Sequence, residues 1–456
     1  MYFEQIKTPG LGCFSYILGC PRARQMVVVD PRRDVGAYIE ISHKHNMKIT
    51  HIFDTHLHAD HVSGARELSH ATGAPIFMHE NAPVEFAHEK LKNNDLFEMG
   101  GFRLEILHTP GHTPNSISIL VTDLSRSSVP AILLSGDLLF VGDAGRPDLP
   151  GEDILDEQIE NLHNSLYHTL KGLPDGLEIY PAHGQGSLCG RGISAKPHST
   201  LGYERAANPM LQLAGYQEFK KNIMSNLPMR PQSFSHIIAT NMKGAPLLPS
   251  CEKEDMALQP AKVQNAIENG AVLLDLRNAL AFSAAHMPGS VNIPAEAPQA
   301  INWIGISVKP RSKLVLVADS PAEFSRMKTE LLRIGYDDVL GYLHGGIGVW
   351  IEEGGKIDST PIISHNALKE EMSSARPPLI VDVRSEAEYR ENHLPNSTYL
   401  SFDQIIKGGH SLNPDADKVI VCNSGYRSAI AVSLLKAQGQ KNLRLLAGGI
   451  ALLNEK

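Results

Sequence analysis

The chain has 456 residues, and this length indicates about three domains. Hydrophobic residues make up 42% of it and charged residues 20%, which is ordinary for a soluble protein with buried cores. The chain has a net charge of −8 and no long run of basic residues. This charge argues against nucleic acid and anionic membrane surfaces as partners. No apolar run is long enough to span a bilayer, and residues 1–7 do not resemble the start of a signal peptide. The five scattered cysteines predict a reducing, cytoplasmic location rather than a disulfide framework.

The segment Thr55–His61 (THLHADH) is the densest cluster of metal-binding residue types in the chain. It follows the apolar run Ile49–Phe53, which predicts a buried strand, so the cluster lies where that strand ends. Neutral imidazole and ionised carboxylate are ligands that suit zinc, iron and manganese. The cluster therefore predicts a metal site rather than a solvated, histidine-rich loop.

Three further predicted strands are also followed by a metal-binding residue type. They are residues 102–107, followed by His112; 131–134, followed by Asp137; and 177–180, followed by His183. Layered α/β proteins place their sites beyond strand ends, because loops converge there while the sheet holds them in place. These residues are therefore expected to meet the Thr55–His61 cluster.

Together these motifs resemble the metallo-β-lactamase superfamily over residues 1–235. The resemblance implies an αββα sandwich with a metal at one edge of the two sheets. The seven ligand positions of the superfamily are all occupied here, by His56, His58, Asp60, His61, His112, Asp137 and His183.

The segments 137–148, 187–194 and 202–208 narrow the resemblance to the persulfide dioxygenases, and especially to those fused to rhodanese domains. This resemblance implies one ferrous ion per chain, held by the first histidine of the cluster, the later Pro-Gly-His and the Gly-Asp. In this chain these ligands are His56, His112 and Asp137. Two imidazoles and one carboxylate leave open positions on iron for the substrates. The other four positions, which orient ligands and solvent, are His58, Asp60, His61 and His183.

The resemblance also implies that Arg146 binds the carboxylate of a glutathione-type thiol carrier, since a guanidinium pairs well with carboxylates and phosphates. The Pro-Ala-His-Asp-Tyr stretch of the family reads Pro-Ala-His-Gly-Gln at residues 181–185, so a carrier-binding tyrosine is missing. Glutathione persulfide is therefore not expected to be the sole or best substrate.

Beyond a linker predicted at residues 236–255, two copies of one unit follow, at 256–355 and 356–456. Asp275-Leu-Arg in the first copy is answered by Asp382-Val-Arg in the second, and His286-Met-Pro is answered at the same spacing by His393-Leu-Pro. Strands alternate with helical stretches, which predicts small α/β domains with parallel sheets. These motifs resemble the rhodanese family.

Only the second copy carries the residues for sulfur transfer. Cys422-Asn-Ser-Gly-Tyr-Arg427 follows a predicted strand, and its loop N–H groups and helix start can cradle a persulfide or sulfite. Cys422 and Arg427 are the predicted catalytic residues, with Gly425 and Ser428 as substrate-binding positions. The first copy has Val317–Phe324 in that place, without cysteine or arginine, and we expect it to be catalytically silent.

The other cysteines (Cys13, Cys20, Cys189 and Cys251) are expected to be inert thiols, although Cys189 follows the His183 loop closely enough to relay sulfur. The sequence thus predicts an iron persulfide dioxygenase joined to a sulfurtransferase. Its partners would be a low-molecular-weight persulfide, O₂ and sulfite, and we expect a homo-oligomer. Two other functions stay open: a binuclear zinc thioester hydrolase of the glyoxalase II kind, and a sulfide-binding protein without turnover.

Overall fold

The computed structural model describes residues 1–249 and 256–453. These residues form two compact units, of which the first holds residues 1–249 together with Glu330–Gly335 and the second holds the rest. Within the described residues, no helix has the length and apolar character needed to cross a membrane.

The first unit is built on two six-stranded sheets and one short β-hairpin. The strands of the first sheet are β1 (Tyr2–Thr8), β2 (Cys13–Cys20), β3 (Gln25–Val29), β4 (Lys48–Phe53), β5 (Ile76–His79) and β6 (Glu89–Leu91). The remaining strands are β7 (Leu96–Met99), β8 (Phe102–His108), β9 (Ile117–Asp123), β10 (Ile132–Gly136), β11 (Leu139–Phe140), β12 (Asp143–Ala144), β13 (Glu178–Pro181) and β14 (Ser199–Thr200). The first sheet keeps the chain order β1 to β6, and the second has the order β14-β13-β10-β9-β8-β7, while β11 and β12 pair with each other.

The helices of this unit are α1 (Gly36–Lys44), α2 (Ala65–Thr72), α3 (Leu155–Asn164), α4 (Leu201–Ala207), α5 (Tyr216–Ile223) and α6 (Gln232–Lys243). α1 to α5 pack on the outer faces of the sheets, whereas Phe234 of α6 packs with Ala59 and Leu149. Val27 and Val29 of β3 point into the core between the sheets, whereas Met26 and Val28 point into a second core that α1 and α2 cover. Because both faces of β3 are buried, its sequence is a continuous apolar run rather than an alternating one. The predicted αββα sandwich is confirmed.

The predicted linker at residues 236–255 begins inside a helix. Residues 236–243 lie in α6, so regular structure extends further along the chain than the composition indicates. Residues 250–255, and with them Cys251, lie outside the described residues.

The second unit contains two five-stranded parallel sheets with the same strand order. The first copy comprises β15 (Ala257–Leu258), α7 (Pro260–Glu268), β16 (Val272–Asp275), α8 (Ala279–Ala284), β17 (Val291–Asn292), α9 (Ala300–Ser307), β18 (Leu314–Val317), α10 (Pro321–Arg333), β19 (Val339–Leu343) and α11 (Gly346–Glu352). The second comprises β20 (Ile362–Ile363), α12 (His365–Met372), β21 (Leu379–Asp382), α13 (Glu386–Glu391), β22 (Thr398–Tyr399), α14 (Phe402–Lys407), β23 (Lys418–Val421), α15 (Tyr426–Ala437) and β24 (Leu443–Leu446). Their sheet orders, β15-β19-β18-β16-β17 and β20-β24-β23-β21-β22, match position by position, and the predicted small α/β domains with parallel sheets are confirmed.

Candidate active sites

Three residues that follow different strands meet in the first unit. His56 follows β4, His112 follows β8 and Asp137 follows β10, and all three side chains are buried. The Nε2 atoms of His56 and His112 lie 3.7 Å and 3.3 Å from Oδ2 of Asp137. These residues, called the triad below, can offer ligand atoms that all lie within 4.8 Å of one another.

The atoms by which the triad residues face one another lack hydrogen-bond partners among the residues that the structure describes. They are Nε2 of His56, Nε2 of His112 and Oδ2 of Asp137. Buried polar atoms ordinarily have partners, so three unsatisfied atoms that converge on one point call for a ligand there. Two imidazole nitrogens and one carboxylate oxygen form the donor set of a metal such as non-haem iron, and the triad therefore fits a metal ion.

The charge states of the triad suit metal binding. Burial, together with the neighbouring histidines, lowers the pKa of His56 and His112, which keeps both rings neutral. Burial opposes the charge of Asp137, but the surrounding imidazoles, above all that of His183, outweigh it and hold the pKa of Asp137 below its ordinary value. Two neutral rings and one carboxylate leave lone pairs free for a cation.

The outer nitrogen of each triad histidine is fixed by a neighbour. Nδ1 of His112 donates to the carbonyl oxygen of Arg146 at 2.7 Å. Nδ1 of His56 lies 2.9 Å from Oγ1 of Thr55, which in turn donates to Asp30 at 2.8 Å. Such contacts select the tautomer that leaves Nε2 unprotonated and hold the ring in place.

His183 follows β13 and lies between two carboxylates. Its Nδ1 is 2.6 Å from Oδ1 of Asp137, and its Nε2 is 2.8 Å from Oδ2 of Asp60. Burial disfavours a charge on the ring, but the two carboxylates outweigh burial and raise the pKa of His183 well above its ordinary value. His183 therefore occupies one oxygen of Asp137 and leaves only the other to the triad.

His58 lies beside the triad but is not one of its members. Its Nε2 is 3.1 Å from Oδ1 of Asp30, and its ring centroid lies 4.2 Å from that of His56. Asn241 of α6 donates to the carbonyl oxygens of both His58 and His61 at 2.9 Å and thereby fixes the backbone of the cluster. Sequence reasoning missed Asn241 and Asp30, because neither belongs to a motif.

The remaining cluster residues meet a cysteine that the sequence predicts to be inert. Oδ1 of Asp60 lies 3.1 Å from Nδ1 of His61, and the Cys13 thiol donates to Oδ2 of Asp60 at 3.0 Å. Cys13 reaches this place because the start of β2 pairs with the backbone of His183 in an antiparallel bridge. Cys189 lies near His183 and Asp137. Burial raises the pKa of its thiol well above the ordinary value.

Arg146 does not have the open environment that a carrier-binding residue needs. Its side chain is 3% exposed, and its guanidinium binds both carboxylate oxygens of Asp148 at 2.7 Å. Nη1 donates to the carbonyl oxygens of Leu188 and Pro228 at 3.2 Å and 2.9 Å. In this structure Arg146 thus contacts Asp148, Leu188 and Pro228, and its binding of a carrier carboxylate stays a prediction.

In the second unit, hydrogen-bond donors converge on the sulfur of Cys422. The backbone N–H groups of Gly425 and Ser428 point at Sγ from 3.2 Å and 3.4 Å, and Oγ of Ser428 lies 3.2 Å from it. Gly425 has a φ of 93°, a left-handed conformation that residues with a Cβ rarely adopt. The loop after β23 and the start of α15 therefore place three hydrogen-bonding groups around the sulfur.

The segment after β24 contacts the backbone of the Cys422 loop. The N–H of Ile450 donates to the carbonyl oxygen of Cys422 at 2.8 Å. A Cβ on Gly449 would lie 2.4 Å from the carbonyl oxygen of Asn423 and 2.5 Å from that of Cys422, so only glycine fits there. The sequence does not predict this contact, because Gly449 and Cys422 follow different strands.

Arg427 is paired with a carboxylate rather than open to an anion. Its two terminal nitrogens each donate to Glu388 at 2.7 Å. In this structure Arg427 joins the start of α15 to Glu388 of α13, and its role as a cation beside the sulfur stays a prediction.

In the first copy, strand register shows which residue replaces the cysteine. Val317 pairs with Asp275 as Val421 pairs with Asp382, so Ala318 stands where the second copy has Cys422. By the same register Glu323 stands in the place of Arg427, and it accepts from the backbone N–H of Asp319 at 2.9 Å. At these two positions the first copy therefore has neither thiol nor cation, and its catalytic silence stays a prediction.

Different parts of the chain match different families of known proteins. Residues 8–183 match the metallo-beta-lactamase superfamily. A solved structure of a metallo-beta-lactamase from Staphylococcus aureus subsp. aureus COL is 32% identical, with a TM-score of 0.68, and the match covers 75% of this chain and 98% of that one. The chain belongs to the metallo-beta-lactamase superfamily. In this superfamily member, residues 259–353 and 364–456 each match the rhodanese-like domain.

The curated relatives of this superfamily member include proteins of two functional groups. Mitochondrial persulfide dioxygenase ETHE1 is 28% identical over 248 residues in Bos taurus and over 249 in Homo sapiens, covering 53% of this chain and 87% of each relative. A probable hydroxyacylglutathione hydrolase from Schizosaccharomyces pombe is 26% identical over 241 residues, covering 47% of this chain and 88% of that protein. The persulfide dioxygenase relatives and the two rhodanese-like domains connect the chain to sulfur metabolism, while the hydrolases are similarly close.

Proposed function

We propose that the chain is an iron-dependent persulfide dioxygenase joined to a sulfurtransferase. The observation that carries the proposal is the presence of two sulfur-directed sites in one chain: a buried triad with three unpartnered donor atoms, and a cysteine cradled by N–H groups. A thioester hydrolase has no need of a cradle that can hold a persulfide.

The catalytic metal is one ferrous ion per chain, held by His56, His112 and Asp137. Oδ1 of Asp137 is occupied by His183 at 2.6 Å, and Oδ2 lies 3.7 Å and 3.3 Å from Nε2 of His56 and His112. These three unpartnered atoms converge on one point, which supports a single ion at the triad.

At the triad, a thiol persulfide, O₂ and water give the free thiol and sulfite. The ferrous ion, when bound, supplies the activation of O₂ and binds the terminal sulfur. The chain supplies a buried site that limits water, and it fixes the ring of His112 through the carbonyl of Arg146. His183 holds the unused oxygen of Asp137, so the carboxylate keeps its orientation during the reaction.

At the second site, the Cys422 thiolate takes the outer sulfur of a persulfide and releases the carrier thiol. Sulfite then attacks that sulfur, which forms the S–S bond of thiosulfate and returns the electron pair to Cys422. No oxidant is required, because the sulfur moves between nucleophiles. The N–H groups of Gly425 and Ser428 stabilise the negative sulfur in each step.

The second candidate function is a binuclear thioester hydrolase. Two observations favour it: the similarity to hydroxyacylglutathione hydrolases, and Nδ1 of His58, which is buried and unpartnered among the described residues and could add a fourth ligand. Elemental analysis of chain purified without added metal, combined with an oxygen electrode trace on a thiol persulfide, separates the two functions. One iron per chain with O₂ uptake supports the dioxygenase, and two zinc ions with thioester hydrolysis support the alternative.

A further inference from the structure

The two copies in the second unit share a loop that is covered in one copy and open in the other. The loop follows α8 in the first copy, where it contains His286, and α13 in the second, where it contains His393. His286 is 2% exposed, whereas His393 is an exposed residue. We propose that the surface around His393 is a docking site for an extended, basic segment of a partner protein. This inference goes beyond the proposed function and does not depend on it.

The first copy shows what kind of structure covers this loop. Residues 356–361, called the covering segment below, run past His286. The N–H of Asp358 donates to the carbonyl oxygen of His286 at 2.8 Å, and the N–H of His286 donates back at 2.9 Å. Two residues later, the N–H of Thr360 donates to the carbonyl oxygen of Ser283 at 2.9 Å. A short extended segment thus pairs with the loop through its backbone, as an added β-strand does.

The loop of the second copy has the same conformation as the loop of the first. The residue before the histidine has φ −159° and ψ 127° at Ala285, and φ −161° and ψ 132° at Asn392. In both copies Nδ1 of the histidine lies 2.8 Å from the carbonyl oxygen of an aromatic residue, Phe282 or Tyr389. The histidine ring also stacks on that aromatic ring, with centroids 3.9 Å and 4.1 Å apart. The second loop is therefore already shaped to accept a segment.

The backbone groups of the second loop are open. Among residues 1–249 and 256–453, none makes a backbone hydrogen bond to His393. Unpaired N–H and carbonyl groups on an extended stretch of chain are a template for pairing with another polypeptide. The half-buried rings of Tyr389 and Tyr399 lie beside the loop, with centroids 5.3 Å apart, and offer apolar surface to the same partner.

The charge of α13, which leads into this loop, determines the kind of partner that fits. α8 has no charged residue (ALAFSA), whereas α13 has three glutamates and one arginine (EAEYRE). Glu386 binds Arg390 within the helix. Glu388 binds Arg427 at the start of α15, so the surface lies beside the cysteine loop. Glu391 is exposed and has no ion-pair partner among the described residues, and a basic residue of the partner therefore suits this surface.

The occupant is a different protein, because a second copy of this chain cannot offer its own covering segment. In the folded chain Thr360 is 2% exposed, and its N–H is already bonded to Ser283. The side chain of Asp358 is also engaged, since Nζ of Lys436 donates to it at 2.8 Å. Release of this segment would break these contacts within its own chain.

The experiment titrates the full-length chain with two fluorescent peptides that copy residues 355–362, and fluorescence polarisation measures binding. One peptide keeps the native sequence (GKIDSTPI), and the other carries Asp358→Lys. The lysine peptide should bind about threefold or more tightly than the aspartate peptide, since it is attracted by Glu391 rather than repelled. An N-methyl group on the backbone nitrogen of that lysine should abolish binding, because it removes the N–H that pairs with the loop.

Variants of the chain locate the site. Glu391→Lys should reverse the preference, so that the aspartate peptide binds more tightly than the lysine peptide. His393→Pro should weaken both peptides by about tenfold or more, since proline has no N–H to donate. His344→Ala, at an exposed histidine of the first copy, should leave both affinities unchanged. If His393→Pro does not fold, Glu391→Lys decides, because its side chain is exposed.

Three results would overturn the inference: no binding of the lysine peptide, equal binding of its N-methylated form, or an unchanged preference in Glu391→Lys. Peptide binding that is lost as the chain concentration rises would show that a second copy covers the surface, and it would overturn the inference as well. Because the readout is peptide affinity, a failure of the dioxygenase or sulfurtransferase proposal would leave it unaffected.

Discussion

The carbonyl oxygen of Arg146 lies 2.7 Å from Nδ1 of His112, so the backbone of one predicted site residue orients the ring of another. The guanidinium of Arg146 points away and binds Asp148 and the carbonyl oxygens of Leu188 and Pro228. Arg146 therefore supports the triad by holding loops together behind it, and its positive charge is compensated inside the protein.

The first prediction follows from that burial. Arg146→Ala should lower the free energy of unfolding of the first unit by about 3–5 kcal/mol, because it leaves the Asp148 carboxylate without its partner. Urea denaturation measures this change. The double variant Arg146→Ala, Asp148→Ala should be less destabilised than the sum of the two single variants. If Arg146→Ala left the stability unchanged and only raised the KM for the persulfide, Arg146 would be a carrier-binding residue instead.

The second prediction concerns the metal. His112→Ala should lose iron binding and O₂ uptake, since it removes one of three ligand atoms at the triad. His108→Ala is the matched control, because His108 lies at the end of β8, near His112 in sequence, and stacks on His79 with ring centroids 3.8 Å apart. It should retain iron. Elemental analysis and an oxygen electrode give both readouts, and equal iron loss in the two variants would argue against the triad.

The third prediction concerns Cys422. Cys422→Ser should consume O₂ at close to the wild-type rate, accumulate sulfite and form little thiosulfate, because serine cannot carry the sulfur. Adding Ala318→Cys to this variant should not restore thiosulfate, since the first-copy loop places Glu323 where the second copy has Arg427. Sulfite and thiosulfate are measured by chromatography. Wild-type thiosulfate formation by Cys422→Ser would refute the assigned role.

The fourth prediction is a pH dependence. Hydrogen bonds from Arg427 lower the pKa of Glu388 to about 2, below its ordinary value of 4.5. A carboxyl whose pKa is depressed on folding stabilises the protein above its unfolded pKa and loses this contribution as pH falls. The stability difference between wild type and Glu388→Gln should thus be constant above about pH 5 and should shrink between about pH 4.5 and pH 2. Thermal melts of both chains across this range test it, and a difference that does not depend on pH would contradict it.

The fifth prediction concerns the thiol carrier. Gly184 stands in place of the aspartate in the Pro-Ala-His-Asp-Tyr stretch, and a Cβ there would lie 2.6 Å from Cζ of Phe14. An aspartate at position 184 would thus require the ring of Phe14 to move, and Arg146 is buried, so two features associated with glutathione binding are altered here. Cysteine or coenzyme A persulfide should have a kcat/KM equal to or above that of glutathione persulfide. A strong preference for glutathione persulfide in side-by-side assays would reject this prediction.

The sequence predicts those parts of the site that local patterns determine. Apolar runs mark β4, β8, β10 and β13, and the polar residue types directly after them include the whole triad. Cys422 and its cradle are equally local, because one strand, one loop and one helix start contain them.

Other site residues could not be predicted, because they approach from distant parts of the chain. Cys13 reaches Asp60 only through the pairing of β2 with the His183 loop, and Asn241 reaches His61 from α6. Neither belongs to a motif. The environments of Arg146 and Arg427 could not be predicted either, because the same guanidinium suits a substrate anion or an internal carboxylate, and only the packing decides between them.

The two copies in the second unit share one ion pair, although only the second copy has the cysteine predicted to transfer sulfur. Arg277 binds Asp275 in the silent copy in the same way as Arg384 binds Asp382 in the other, from both Nε and Nη2. The ion pair is thus present in a copy that has no thiol at the corresponding position, so it does not depend on the sulfur chemistry. The silent copy is in this respect an internal reference for engineering: features common to both copies mark what a replacement domain must keep, and features found only in the second mark what can be redesigned.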